Sequence, residues 1–408
     1  MMVISMGKIR EKCIFLLPTF TIVFQWITIA GINLSWLISG VLLISLITKR
    51  NWILQKKIPL LVFLIFLISP FFTFLFGRAT SFNLSLYISI ATGVIYFLYV
   101  STLEHDMFEK FMVGGLFSCV LFAIWGCYEI FTGNYILSNH EIFTQRPTWN
   151  GMHYPIAAFP NTNDIAQYLT LLFPMGSFVL LKKNKLAWGI SSALVFFVIY
   201  ASGSRLCMMC FLGVWGLSLF WKLMSDKRAK TLLTICFIAI LLVIGLLIVD
   251  AKTGMVTTVL QQFLVVDTGA DYYSGREEIY ADVLGVAARL PLGGFGSAYS
   301  ANDFPPHNFL LFVLCDYGWF AALFLIVVLL KFGFRYFSVA SQKRDDLFIV
   351  LLLSTLILFP VLSSVSSTNE QRKIVWMVLG IFMNQYLCYR EVGRKDHAMM
   401  RKANRSMS

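Results

Sequence analysis

Three basic side chains stand where an apolar chain has least reason to keep them. Arg205 closes Ala201-Ser-Gly-Ser-Arg205 between two apolar runs, Arg276 follows Ser274-Gly275, and His307 follows Pro305-Pro306 and precedes Asn308. A guanidinium is a forked donor for carboxylate or phosphate oxygens, and a neutral imidazole accepts a proton near pH 7. Charge beside hydrocarbon is expensive and needs a partner. Arg205, with no acidic residue in its local sequence, is either a snorkelling anchor or a guanidinium held in place by the tight turn that Gly203 and the two serines predict. Ser274-Gly275-Arg276-Glu277 fits a capping box, and Ile279, Val283, Val286, Ala287 and Leu290 then recur at helical spacing. This predicts an amphipathic helix from about Gly275, on the membrane surface or across the mouth of a bundle. Arg276 falls in its first turn, where backbone N–H groups also favour anions; a capped surface helix with a solvated Arg is the plain alternative.

Pro291-Leu-Gly-Gly-Phe-Gly-Ser297 follows. Gly293, Gly294 and Gly296 permit positive φ and let N–H groups converge on an anion or a sugar hydroxyl, although a flexible turn accounts for them equally well. An earlier run, Phe159-Pro-Asn161-Thr-Asn163-Asp164, enters an apolar stretch, and helix capping explains most of it. Arg146 and His153 lie just before it. Other chemistry is excluded by spacing. Asp316 lies nine residues after His307, on the opposite face of a helix and roughly 13 Å along it, so it cannot orient the imidazole. No His, Asp and Glu share metal-ligand spacing in the long loops, which predicts metal-independent chemistry with no cofactor. Cys207-x-x-Cys210 lies inside an apolar run and reads as packing. No Gly-Lys-Ser/Thr phosphate loop is present, so ATP bound to this chain is not the energy source.

The elements that must hold these residues are membrane helices. Of 408 residues 58% are hydrophobic and 13% charged, mean hydropathy is +0.75, and stretches such as 58–76 and 231–249 are apolar on every face. The expected fold is all-α and polytopic: one transmembrane domain over residues 1–408, with about twelve spans near 13–30, 32–48, 58–76, 82–101, 111–131, 163–181, 186–201, 206–221, 231–249, 307–330, 347–362 and 374–389. Both termini in the cytoplasm put 25 of the 33 Lys and Arg inside, and the eight outside include Arg205, Arg276, Arg372 and Lys373. The two long loops, about 132–162 and 250–306, then fall on the outer face, where connectors of that length are functional more often than incidental. The net charge of +12 sits at span ends and not along one polar face, which excludes a nucleic-acid surface. Residues 390–408 read as a basic cytoplasmic tail drawn to anionic lipid. The cysteines cluster in or beside spans and imply no disulfide framework.

Taken in order, these pieces resemble the O-antigen ligase and polysaccharide polymerase superfamily, integral-membrane transferases acting on undecaprenyl-diphosphate-linked glycans. The resemblance covers roughly residues 150–335. It rests on Phe159-Pro-Asn161-x-Asn163, Ser204-Arg205, Ser274-Gly275-Arg276, Pro291-Leu-Gly-Gly-Phe-Gly296, and His307-Asn308 followed by Asp316-Tyr-Gly318. The family often has Leu four residues after its Arg, whereas Met209 and Tyr280 stand there in this chain. The resemblance implies a GT-C-like helical fold in a bacterial plasma membrane. It makes Arg205, Arg276 and His307 the catalytic residues, with Asn161, Asn163, Gly294, Gly296 and Asn308 lining the substrate.

The substrate implied is an undecaprenyl-diphosphate-linked oligosaccharide. Its diphosphate is the leaving group, so neither ATP nor a nucleotide sugar is needed outside. The two arginines would hold the diphosphate, and His307, kept neutral by neighbouring cations, would deprotonate the acceptor hydroxyl with inversion. Implied partners are membrane lipid, a flippase and a chain-length regulator. Two other readings stand beside polymerisation: ligation of a finished glycan to another acceptor, and transport, which twelve spans would suit although in-span acids are few, chiefly Glu129 and Asp316.

Overall fold

The computed structural model describes residues 6–24, 27–29, 32–48, 57–76, 84–136, 152–225, 276–294, 308–342, 346–363 and 372–407. These form twelve helices: α1 (Met6–Val23), α2 (Leu34–Thr48), α3 (Lys57–Phe76), α4 (Leu84–Ser101), α5 (His105–Thr132), α6 (Thr162–Lys183), α7 (Lys185–Ala201), α8 (Arg205–Ser225), α9 (Arg276–Arg289), α10 (Phe309–Gln342), α11 (Leu347–Leu362) and α12 (Arg372–Met407). Eleven of them fall on expected spans. The twelfth, α9, is the amphipathic helix of the second long loop, and the ninth expected span, 231–249, lies outside the described residues. By length and apolar composition α5, α6 and α10 are each long enough to cross a membrane, and six shorter helices are apolar throughout. Apart from one short hairpin the described residues with regular structure are helical, as suits an integral membrane protein.

Three boundaries differ from expectation. The first span was expected to reach residue 30, but α1 ends at Val23. The β-branched residues after it pair as a short hairpin, β1 (Thr28–Ile29) with β2 (Ile32–Asn33), and Asn33 Oδ1 then accepts from Ser35 N at 2.9 Å to start α2. Second, α10 runs to Gln342 and not to 330, and it consists of two helical segments joined at Gly318, whose φ of 79° and ψ of 178° are not helical. Third, α12 continues to Met407, so the residues read as a basic tail extend a membrane helix.

Aromatic rings from three helices gather around α12. Trp376 of α12, fully buried, is ringed by Phe66, Phe97 and Phe309 from α3, α4 and α10, with centroids 4.8, 6.1 and 5.4 Å away. At the opposite ends, on the side the charge count assigns to the cytoplasm, Arg10–Glu104 at 3.7 Å and Lys110–Glu11 link the starts of α1 and α5. The outward faces are apolar: Phe320, Leu323, Val327, Leu330, Phe334 and Phe337 recur every three or four residues along α10, and Phe334 is 76% exposed. Such a stripe is unfavourable in water and suits acyl chains.

Candidate functional site

The end of α5 organises the chain that returns from the first long loop. Glu129, fully buried, accepts with Oε2 from Ile156 N at 2.7 Å and Ala157 N at 2.6 Å. Ile130 O accepts from His153 N at 3.3 Å, and Tyr135 Oη donates to Tyr154 O at 3.0 Å. Burial, with the Glu129 carboxylate nearby, pushes the Tyr135 hydroxyl up to about 12. Ala157 has φ of 46°, and among the described residues it is the one non-glycine at positive φ. Phe159 N then donates to Ile156 O at 2.8 Å, and the Phe159 ring packs against Phe122 and Tyr168, each 5.2 Å away.

That turn delivers Asn161 to the start of α6, where its Oδ1 accepts from Asp164 N at 3.1 Å. Asn163 lies half-buried in the first turn, and Asp164 is fully buried. Thr170 Oγ1 donates to Cys207 O at 3.4 Å, and Cys207 is fully buried. The start of α6 is thereby packed on the start of α8. Between α7 and α8, Gly203 sits at φ of 71°, Ser202 Oγ accepts from Ser204 N at 3.2 Å, and Arg205 N donates to Gly203 O at 3.0 Å. The tight turn expected around Arg205 is therefore present, with Tyr154 over its glycine: a Cβ there would lie 3.4 Å from Tyr154 Cε1. Ser204 is buried, whereas Arg205, the first residue of α8, is exposed.

The second loop meets α10. Cys315 Sγ donates to Val283 O at 3.3 Å and Trp319 Nε1 to Ala287 O at 3.1 Å, the same 32-residue offset at both contacts. The amphipathic helix thus runs beside α10 in the same direction, burying Val283 and Ala287. After it, Trp319 N donates to Pro291 O at 3.0 Å, Gly293 N to Leu290 O at 2.8 Å and Gly294 N to Cys315 O at 2.7 Å. Gly293 and Gly318, at φ of 92° and 79°, lie face to face. A Cβ on Gly293 would come within 2.5 Å of Asp316 O, and one on Gly318 would run into Pro291 O. These glycines exist for a backbone crossing, and the amides of Gly293 and Gly294 that the sequence offered to a ligand are taken by carbonyls. Asn308 caps α10, accepting with Oδ1 from Leu310 N at 2.9 Å and Leu311 N at 3.1 Å.

Asn161, Asn163 and Arg205 thus share one locus, and Gly294 and Asn308 belong to α10 and its neighbouring turn. His307 and Gly296 lie outside the described residues, as do Arg146, Ser274 and Gly275, and Arg276 is described only as the first helical position of α9. Sequence reasoning passed over Glu129 as a structural part of this locus; an acid inside an apolar span was the available signal. Ala157 carries no such signal.

Among curated proteins none matches the chain. A family model described as O-antigen ligase matches residues 190–326, a segment running from α7 through Arg205, Arg276 and His307 into α10. Over that segment the chain is similar to the O-antigen ligase family.

Proposed function

We propose that this protein joins undecaprenyl-diphosphate-linked oligosaccharide repeats into a surface polysaccharide on the outer face of a bacterial plasma membrane, with both termini cytoplasmic. The acceptor hydroxyl oxygen attacks the anomeric carbon opposite the diphosphate. The carbon–oxygen bond to the diphosphate breaks with inversion, undecaprenyl diphosphate departs, and His307 receives the hydroxyl proton. Arg205 and Arg276 stabilise the charge that grows on the departing diphosphate.

The observation that carries this reading is the position of the two arginines. Arg205, directly after the described turn at 202–204, is the first residue of α8, and Arg276 is the first described residue of α9. A cation there adds to the positive end of the helix macrodipole, the reverse of what helix stability favours, and such an arrangement suits a bound anion. Asn161, Asn163, Gly294, Gly296 and Asn308 enter the reading as residues that shape the glycan side. A flippase would supply the substrate from the inner face, and a chain-length regulator would set the product.

The test is complementation of a strain lacking its own polymerase. Wild type restores long chains on a gel, whereas His307→Ala and Arg205→Ala at equal membrane abundance leave single lipid-linked repeats on the outer face. Full activity of His307→Ala would overturn its role, and repeats held on the inner face without the protein would identify a flippase. The description of the matching family favours one second reading, ligation of a finished glycan to another acceptor. In that case wild type would restore attachment of long chains and leave their length unchanged.

A further inference from the structure

We infer that Glu129 is a positioning residue for the substrate-binding locus: its carboxylate imposes the left-handed turn at Ala157 that sets Asn161 and the start of α6 against the Arg205 turn. The inference deepens the transferase reading and rests on it for its kinetic consequence. A carboxylate with no exposure is costly in a helix, and this one faces the two amides of Ile156 and Ala157, at 2.7 and 2.6 Å, from a single oxygen. Positive φ at an alanine is strained, and the surroundings must offset that strain. Two N–H bonds converging on one buried oxygen are strong enough to do so.

What the turn controls is local and specific. Four residues after Ala157 comes Asn161, which caps α6 through Asp164 N, and the same helix joins the start of α8 where Thr170 Oγ1 donates to Cys207 O at 3.4 Å. Three residues before Ala157, Tyr154 covers Gly203. Both flanks of the turn therefore reach the Ser202–Arg205 connection, and Glu129 lies on a different helix from any residue expected to touch substrate. Its role is to fix where those residues stand, without contact of its own.

The experiment compares Glu129→Ala, Glu129→Gln, Ala157→Gly and the double variant Glu129→Ala/Ala157→Gly in membranes at matched abundance. We expect Glu129→Ala to raise KM for the lipid-linked repeat about tenfold while kcat changes less, because binding geometry is lost before chemistry. Glu129→Gln keeps an acceptor oxygen and falls between. Glycine at 157 adopts positive φ without help, so the double variant recovers most of the loss. A packing or folding role predicts no such rescue. Unchanged KM in Glu129→Ala, or loss that Ala157→Gly does not relieve, overturns the inference.

A second measurement needs no activity. With Asn163→Cys as reporter, an impermeant maleimide labels Glu129→Ala several-fold faster than its parent, and Ala157→Gly slows it again. Equal labelling rates overturn the positioning role even if wild type makes no polymer, which would instead refute the transferase reading.

Discussion

The protein faces the same problem twice, holding an irregular segment against the start of a helix, and uses opposite means. At Ile156–Ala157 the irregularity sits on an alanine and is imposed from outside by the buried Glu129 carboxylate. At Gly293 and Gly318 it sits on glycines, and the bonds that hold it are almost all backbone to backbone. The first device is reversible in principle: remove the carboxylate and the alanine relaxes. The second is built into the chain, since two left-handed residues lie against each other's carbonyls with no space for a Cβ. One region is tuned by a side chain and the other is fixed by the absence of side chains.

The widest separation between the two comes from adding one carbon to the second region. Gly318→Ala forces an L-residue into φ of 79° and ψ of 178° and drives its Cβ into Pro291 O, where neither backbone can yield easily. The cost is on the order of 3 kcal/mol or more. We expect membrane abundance, measured by immunoblot, to fall several-fold. Ala157→Gly, the comparable change in the first region, should leave abundance unaltered. If Gly318→Ala accumulated normally, the crossing of Pro291–Gly294 over Gly318 would not be the fixed element described.

Arg205 separates the regions by function where Gly318 separates them by folding. It is exposed and begins α8, so its removal leaves no cavity. Arg205→Ala should accumulate like wild type yet lose about 100-fold in transfer, the scale for losing a donor to developing charge. Arg205→Lys keeps the charge but loses the fork and should recover part of the rate. Initial rates of lipid-linked repeat consumption in membranes decide this. Equal loss in Lys and Ala would assign the fork, and not the charge, to the reaction.

The sequence conveyed the second region better than the first. Pro291-Leu-Gly-Gly announces a turn with positive φ, and Asp316-Tyr-Gly318 was already among the family residues, although nothing in one dimension reveals that Gly293 and Gly318 face each other. Helix positions followed directly from apolar runs and flanking charge, because the bilayer demands continuous hydrophobic stretches with internally satisfied backbones. The ends were less legible: α1 stops at Val23 because β-branched residues beyond it pair with one another, and hydropathy does not distinguish a strand from a helix over so few residues. In the candidate site, the Arg205 turn and the Asn161 cap were readable from local chemistry. The clamp was not, since Ala157 is an ordinary small residue whose φ depends on Glu129, 28 positions earlier.

The smallest effects sharpen the comparison at its two helix starts. Asn161 and Asn308 have the same role at α6 and α10, but not the same responsibility. Asp164 N has a second acceptor in Asn161 O at 3.2 Å besides Oδ1 at 3.1 Å, so a side-chain deletion leaves that donor partly satisfied. Asn308 Oδ1 accepts from two amides, Leu310 N and Leu311 N, and among the described residues neither has a second acceptor. Asn161→Ala should therefore cost about 0.5 kcal/mol and Asn308→Ala about 1–2 kcal/mol, the low and high ends of the range for capping residues. Thermal unfolding of the detergent-purified variants reads the difference as a larger drop in Tm for Asn308→Ala. Asp at either position restores the oxygen and should return Tm to near wild type, because a carboxylate at a helix start is also favoured by the macrodipole. If Asn161→Ala proved the more damaging, the start of α6 would depend on its cap more than on the clamp at Ala157, and the first region would be less externally imposed than its hydrogen bonds indicate.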